Sequence, residues 1–203
     1  MTARTHDAFA FASLVTVAAY FPPSSLNLLT LFAAIVGNNI GALMPDMDSA
    51  GNRLWDLLPA GNFLGRIFKR IFYKHRTLSH SLLGLFLIYK GLFWLLPKFL
   101  NSFFIDSNVV LAGIMIGYIS HLISDSLTKE GLPLLFPFKF NFGLPPISSL
   151  RITTGKWVEK YLIFPGVWIG LFVFIYYDVL PALKSGVSSK GGRHISVQFI
   201  SRV

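Results

Sequence analysis

Of the 203 residues, 53% are hydrophobic and only 13% charged, and the mean hydropathy is +0.59. A soluble domain of this size carries about 25% charged residues, so a soluble fold is excluded and a polytopic all-α membrane protein is implied. The lack of cysteine excludes disulfides and thiolate ligands; the net charge of +9 comes from Lys and Arg clustered between apolar runs, where they set topology and meet anionic headgroups, so no nucleic-acid partner is expected.

Taken in chain order, the apolar runs predict five membrane helices over about 7–21, 25–44, 77–97, 108–128 and 161–183. The first reads as a retained helix rather than a signal peptide, short enough to sit tilted or partly re-entrant. It turns at Pro22 and Pro23, and Pro45 ends the second. Between the second and third, "GNFLGRIFKRIFYKHR" places Leu64, Ile67, Phe68, Ile71 and Phe72 on one helical face and Arg66, Lys69, Arg70 and Lys74 on the other, the pattern of a helix lying in the headgroup plane. After the fourth, "GLPLLFPFKFNFGLPPISS" is too broken by Pro and Gly to span, and its aromatics suit an interfacial loop. Residues 1–183 read as one membrane-embedded domain and 184–203 as a loosely structured tail.

Loop charge sets the orientation. Residues 45–76 carry Arg53, Arg66, Lys69, Arg70, Lys74 and Arg76, whereas 98–107 carry only Lys98 against Asp106. The first of these loops is therefore expected in the cytoplasm, with the N-terminus and residues 129–160. Five spans then leave the basic tail outside, a discord that the larger internal cluster outweighs.

With that topology, His6, Asp46, Asp48, His75, His80, His121 and Asp125 all fall at the cytoplasmic membrane face. These seven are half of the chain's nine carboxylates and five histidines. His121 and Asp125, four apart, share a helical face. Asp46 and Asp48 point the same way in extended chain. His75 and His80, five apart, converge only if His75 lies in the turn before the third helix. Each signal has a blander reading: an ordinary N-terminal histidine, a helix-end acid pair, an interfacial anchor. Their co-location favours a metal site, suited to Zn²⁺, with Mn²⁺ or Fe as alternatives, and holding one or two ions. Such ions lower the pKa of a bound water and polarise a phosphoryl or acyl oxygen. Arg76, Arg151 and Lys156 are candidates to hold a phosphate, although a positive-inside role is the stronger reading of any one of them. Asn38 and Asn39 read as interhelical hydrogen bonders or outer supports of the site, Gly113 and Gly117 as a helix-packing pair, and Lys90 as an outward-snorkelling cation.

The combination of His6, "LMPDMDS", "HRTLSHSLLG", "GYISHLISDSLTKEGLPLLFPF" and "TTGKWVEK" resembles the family of bacterial membrane-bound proteins assigned as metal-dependent hydrolases, which includes an SOS-regulated inner-membrane member. The likeness runs from His6 to about Glu159. It implies a helical hydrolase of the inner membrane, distantly similar to zinc-dependent phospholipase C, with His75, His80, His121, Asp125, Asp46 and Asp48 as ligand positions and His6 matching the family's early histidine. Thr154, Gly155, Trp157 and Glu159 match a further motif to which the resemblance gives no role. Met44 and Ser79 stand where the family usually has Leu and Thr, changes that leave the ligands intact.

The expectation is a metal-dependent hydrolase at the cytoplasmic face, acting on a phosphoester or lipid substrate drawn from the membrane, with Asp48, Asp125 or Glu130 as general base. The alternative is a non-catalytic metal-binding membrane protein, either a transporter or an interaction module. A transporter places its ligands near mid-bilayer, whereas these gather at one face.

Overall fold

The computed structural model describes residues 1–24, 26–47, 78–138 and 140–182. The amphipathic segment expected at 61–76 and the tail at 184–203 lie outside the described residues. Five main helices stand where the apolar runs predict them: α1 (Ala3–Tyr20), α2 (Leu28–Leu43), α3 (Leu82–Phe99), α4 (Ser107–Ser126) and α5 (Phe164–Phe174). A 3₁₀ turn, Met44–Asp46, extends α2, and π-helical turns at Glu159–Ile163 and Ile175–Val179 flank α5. No strand forms among the described residues; two isolated bridges, Thr128 with Ile152 and Leu132 with Phe142, tie down the segment after α4.

Capping side chains set the helix starts. The Asn27 side chain accepts from Thr30 N at 2.7 Å and starts α2 at Leu28. Ser81 accepts from Gly84 N at 3.1 Å and starts α3 at Leu82, five residues later than the apolar run suggests. Asp106 accepts from Asn108 N at 2.8 Å and starts α4. Each side-chain oxygen satisfies a backbone donor that the first turn leaves without a partner.

Four helices among the described residues are long and apolar enough to cross a membrane: Leu28–Asp46, Leu82–Phe99, Ser107–Ser126 and Glu159–Ala182. The fifth expected helix, α1, is not among them. Helix α1 forms, but Arg4, Thr5, His6 and Asp7 make its first turns polar, and it packs against α4 and α2.

Helix α4 is the centre of the fold, with 56% of its span buried against 6% for α3. Its closest partner is α2, and glycines on both helices bring the backbones together. A Cβ built on Gly117 would lie 2.0 Å from Asn38 O, and one on Gly41 would lie 2.0 Å from Ile114 O. Gly113 meets Ala34 in the same way, and Asn38 Nδ2 donates to Gly113 O at 3.2 Å. In an apolar solvent, close backbone approach and interhelical hydrogen bonds do what hydrophobic burial does in water. Gly117→Ala is therefore expected to destabilise the folded protein by about 1–3 kcal/mol, read as a lower thermal midpoint in detergent, whereas Gly91→Ala, with nothing within 4 Å of its Cβ, should leave it unchanged.

Beneath α4 the chain doubles back. Tyr118, fully buried, donates its hydroxyl to Ser79 O, and Leu82 N donates to Leu134 O at 3.0 Å. The turn before α3 is thus held against the end of α4, the arrangement on which the site depends.

Candidate metal centre

Five side chains from four elements meet at one end of the helices. His6 comes from the first turn of α1, Asp46 from the 3₁₀ turn after α2, His80 from the turn before α3, and His121 and Asp125 from the last turns of α4. His6, His80, His121 and Asp125 are all buried, while Asp46 is 32% exposed and marks the open side. His80 stands outside the helix that the apolar run assigned it to, because Ser81 is the cap.

The donor atoms face one another. His80 Nε2 lies 3.4 Å from Asp46 Oδ1 and 3.7 Å from Asp125 Oδ2. His121 Nε2 lies 3.8 Å from Asp46 Oδ1 and 3.7 Å from Asp125 Oδ2. His6 Nε2 is 3.3 Å from Asp125 Oδ1, which the Met1 amino group also reaches at 2.5 Å. Ligand atoms tetrahedrally placed at ordinary Zn–N and Zn–O bond lengths stand about 3.3–3.4 Å apart. The spacing here matches that value or exceeds it slightly. Two overlapping groups, His6 with Asp46 and His121, and His80 with His121 and Asp125, have ligand atoms all within 4.8 Å of one another.

The hydrogen bonds on the far side of the rings show which nitrogen faces the centre. His121 Nδ1 lies 2.7 Å from Ala42 O; a carbonyl only accepts, so Nδ1 carries the hydrogen and the neutral ring has its lone pair on Nε2. Ser124 Oγ donates to His121 O at 2.9 Å, so its oxygen accepts from His6 Nδ1 at 2.7 Å. His6 therefore also turns an Nε2 lone pair inward. His80 Nδ1 contacts Ser79 Oγ at 3.2 Å, and burial holds its imidazole below the usual histidine range, favouring the neutral ligating ring. The His6 and His121 rings stack at 3.8 Å, 8° from parallel. Three atoms of this centre, His6 Nε2, Asp46 Oδ1 and His121 Nε2, are buried without a hydrogen-bond partner. Buried polar atoms cost free energy unless something pairs them. Lone pairs and carboxylate oxygens aimed at one another repel, and a cation between them removes the repulsion. The residues present fit a divalent metal ion, and the backbone carbonyl and serine behind the rings are the outer supports that metal-ligating histidines use.

Of the candidate ligands, Asp48 and His75 lie outside the described residues, as does Arg76. Arg151 is placed elsewhere in the fold: its guanidinium donates to Pro145 O at 2.7 Å, Gly143 O at 3.1 Å and Pro146 O at 3.0 Å, bracing the broken loop. Lys156 is exposed in the turn before the last span, and Glu130 is exposed in the turn after α4 and belongs to neither ligand group. Asn38 bridges helices rather than supporting a ligand, and Asn39 donates to Ile35 O of its own helix. Ser124 went unrecognised in the sequence, although its place three residues after His121 in "SHLISDS" puts it one turn along the same helix.

The chain matches the YdjM inner membrane protein family over residues 1–184. It belongs to that family. The match takes in all five converging side chains and reaches beyond α5. Among relatives, the uncharacterised protein YvsG of Bacillus subtilis is 32% identical over 176 residues, covering 87% of this chain and 95% of that one. The inner membrane protein YdjM of Escherichia coli is 34% identical over 125 residues, covering 59% of this chain and 56% of its own length. No solved structure shows a significant match. The YdjM family assignment and the four apolar spans together make this a multi-pass inner-membrane protein.

Proposed function

We propose that this protein is a metal-dependent hydrolase at the cytoplasmic face of the membrane, acting on a phosphoester, most simply that of a lipid. The observation that carries the reading is the convergence of three imidazole nitrogens and two carboxylates at ligand spacing. All come from one end of the helices, and one edge is open at Asp46. Placement at helix ends rather than mid-span favours hydrolysis over transport.

One ion accounts for the described residues. Both ligand groups need His121, whose Nδ1 is committed to Ala42 O and whose Nε2 has a single lone pair to give. His80, His121, Asp46 and Asp125 would hold the ion, with His6 as a fifth donor; the three nitrogens and two oxygens suit Zn²⁺, and Mn²⁺ or Fe next. A divalent ion there supplies Lewis acidity and an acidified water. Asp125, fully buried with Oδ2 toward His80 and His121 and Oδ1 shared between His6 and the Met1 amino group, suits ligation and not proton transfer, whereas Asp46 faces the open edge where water and substrate enter. The role of base then falls to Asp46 or to Asp48.

A pocket of about 620 Å³ beside the start of α1, lined by Thr2, Arg4, Thr5, Lys160, Tyr161 and Phe164, supports an anionic lipid headgroup as substrate, since it pairs two cations with aromatic walls. The Arg4→Ala, Lys160→Ala double variant is expected to raise KM for an anionic phospholipid severalfold with metal content unchanged, measured on mixed detergent micelles.

The reading is tested by purifying the protein in detergent, determining bound metal, and assaying phosphodiester and phospholipid substrates. Stoichiometric metal with hydrolysis is the expected result; metal without hydrolysis of any phosphoester would contradict the enzyme assignment.

A further inference from the structure

Glu159, in the "TTGKWVEK" motif, is a carboxylate with no solvent exposure. Its Oε1 accepts from Thr2 N at 2.6 Å and from Thr2 Oγ1 at 2.8 Å. Its Oε2 accepts from Gly155 N at 2.6 Å. Thr2 Oγ1 in turn lies 2.9 Å from Thr5 Oγ1, and Thr5 is buried. One anion thereby satisfies backbone donors at the beginnings of two helices, α1 through its cap residue Thr2 and the last span through the turn that leads into it. A negative charge at two positive helix ends is electrostatically favoured. Gly155 adopts φ +73°, a left-handed conformation that glycine tolerates best, and its N–H is turned onto the carboxylate.

What this clamp holds is the first turn of α1. Thr5 N and His6 N both donate to Thr2 O, at 3.0 and 3.1 Å, so fixing Thr2 fixes the residue one turn on. That residue is His6, whose Nε2 meets Asp125 at 3.3 Å. We infer that Glu159 is a positioning residue for the metal centre, acting through Thr2 to hold the His6 imidazole at the ion. The inference rests on the metal reading above and gives the motif a role at the site.

The test uses the full-length protein in detergent with Zn²⁺ as the probe. Glu159→Ala is expected to bind Zn²⁺ about 10–100-fold more weakly in chelator competition, the usual loss for an outer support. If Glu159 acts through His6, adding Glu159→Ala to His6→Ala should cost no further affinity, because the two changes remove one and the same interaction. A second readout needs no metal: diethyl pyrocarbonate labelling followed by mass spectrometry should show His6, protected in the wild type, becoming reactive in Glu159→Ala, with His121 still protected. Losses that multiply in the double variant, or His6 labelling unchanged from the wild type, would overturn the inference. Should Glu159→Ala fail to fold, Glu159→Gln serves. It keeps an acceptor for Thr2 but turns an amide N–H toward Gly155, so a smaller change in the same direction is expected. Absence of Zn²⁺ from the wild-type protein would count against the metal reading itself, and the labelling would still decide the positioning.

Discussion

His121→Ala is expected to remove the bound metal and, with it, phosphoester hydrolysis. His121 is shared by both ligand groups and gives its only inward lone pair to the centre. Losing it leaves Asp46 and Asp125 facing His80 without the nitrogen that completes either group. Outer supports alone cost roughly 10–100-fold in affinity, and a direct ligand should exceed that. If metal supplies about 4 kcal/mol of transition-state stabilisation, activity falls on the order of a thousandfold. Metal analysis and kinetics on the same preparation check both halves. His121→Ala with wild-type metal content would remove the keystone of the site.

Chelation is expected to destabilise the wild-type protein and to leave His121→Ala unmoved. Four of the five donor side chains are buried where α1, α4 and the turns after α2 and before α3 meet, so the apo protein keeps lone pairs and carboxylate oxygens in contact at 3.3–3.8 Å, a repulsion only partly relieved by neighbours. An ion present at a thousand times its dissociation constant stabilises the folded state by about 4 kcal/mol, which for a chain of this size moves the thermal midpoint on the order of 10 °C. Unfolding curves in detergent with and without chelator should show that drop in the wild type. An equal drop in His121→Ala would place the chelator's effect somewhere other than this centre.

Much of this architecture could be read from residue pattern alone, and the exceptions share a cause. Apolar length placed α1 to α4 and the last span, Glu159–Ala182, within about five residues of their observed bounds, and the polar residues at their ends pointed to one membrane face. His80 was expected on α3 because apolarity starts before it; the helix starts at Leu82 because Ser81, a short polar side chain, outcompetes that pattern by capping. Arg151 shows in the sequence only as a charge, a positive-inside residue first and a phosphate candidate second. The three loop carbonyls that claim it do not show there, since they exist only once the chain has folded around it. Glu159 shows the same limit. Its motif stood out, but its partner Thr2 lies more than 150 residues away in the chain, and no spacing rule links them. Gly113 and Gly117 declared a packing face on α4, whereas Gly37 and Gly41, which complete it from α2, became meaningful only with the two backbones in contact. Local chemistry was legible, and long-range pairing of polar groups was not.

In the proposed site, four elements deliver their donors to a single ion. Anomalous scattering from crystals at the zinc absorption edge tests this most directly. An anomalous peak is expected within about 2.0–2.2 Å of His80 Nε2, His121 Nε2 and the Asp46 and Asp125 carboxylates. Zinc-loaded crystals with no peak between these side chains would contradict that arrangement.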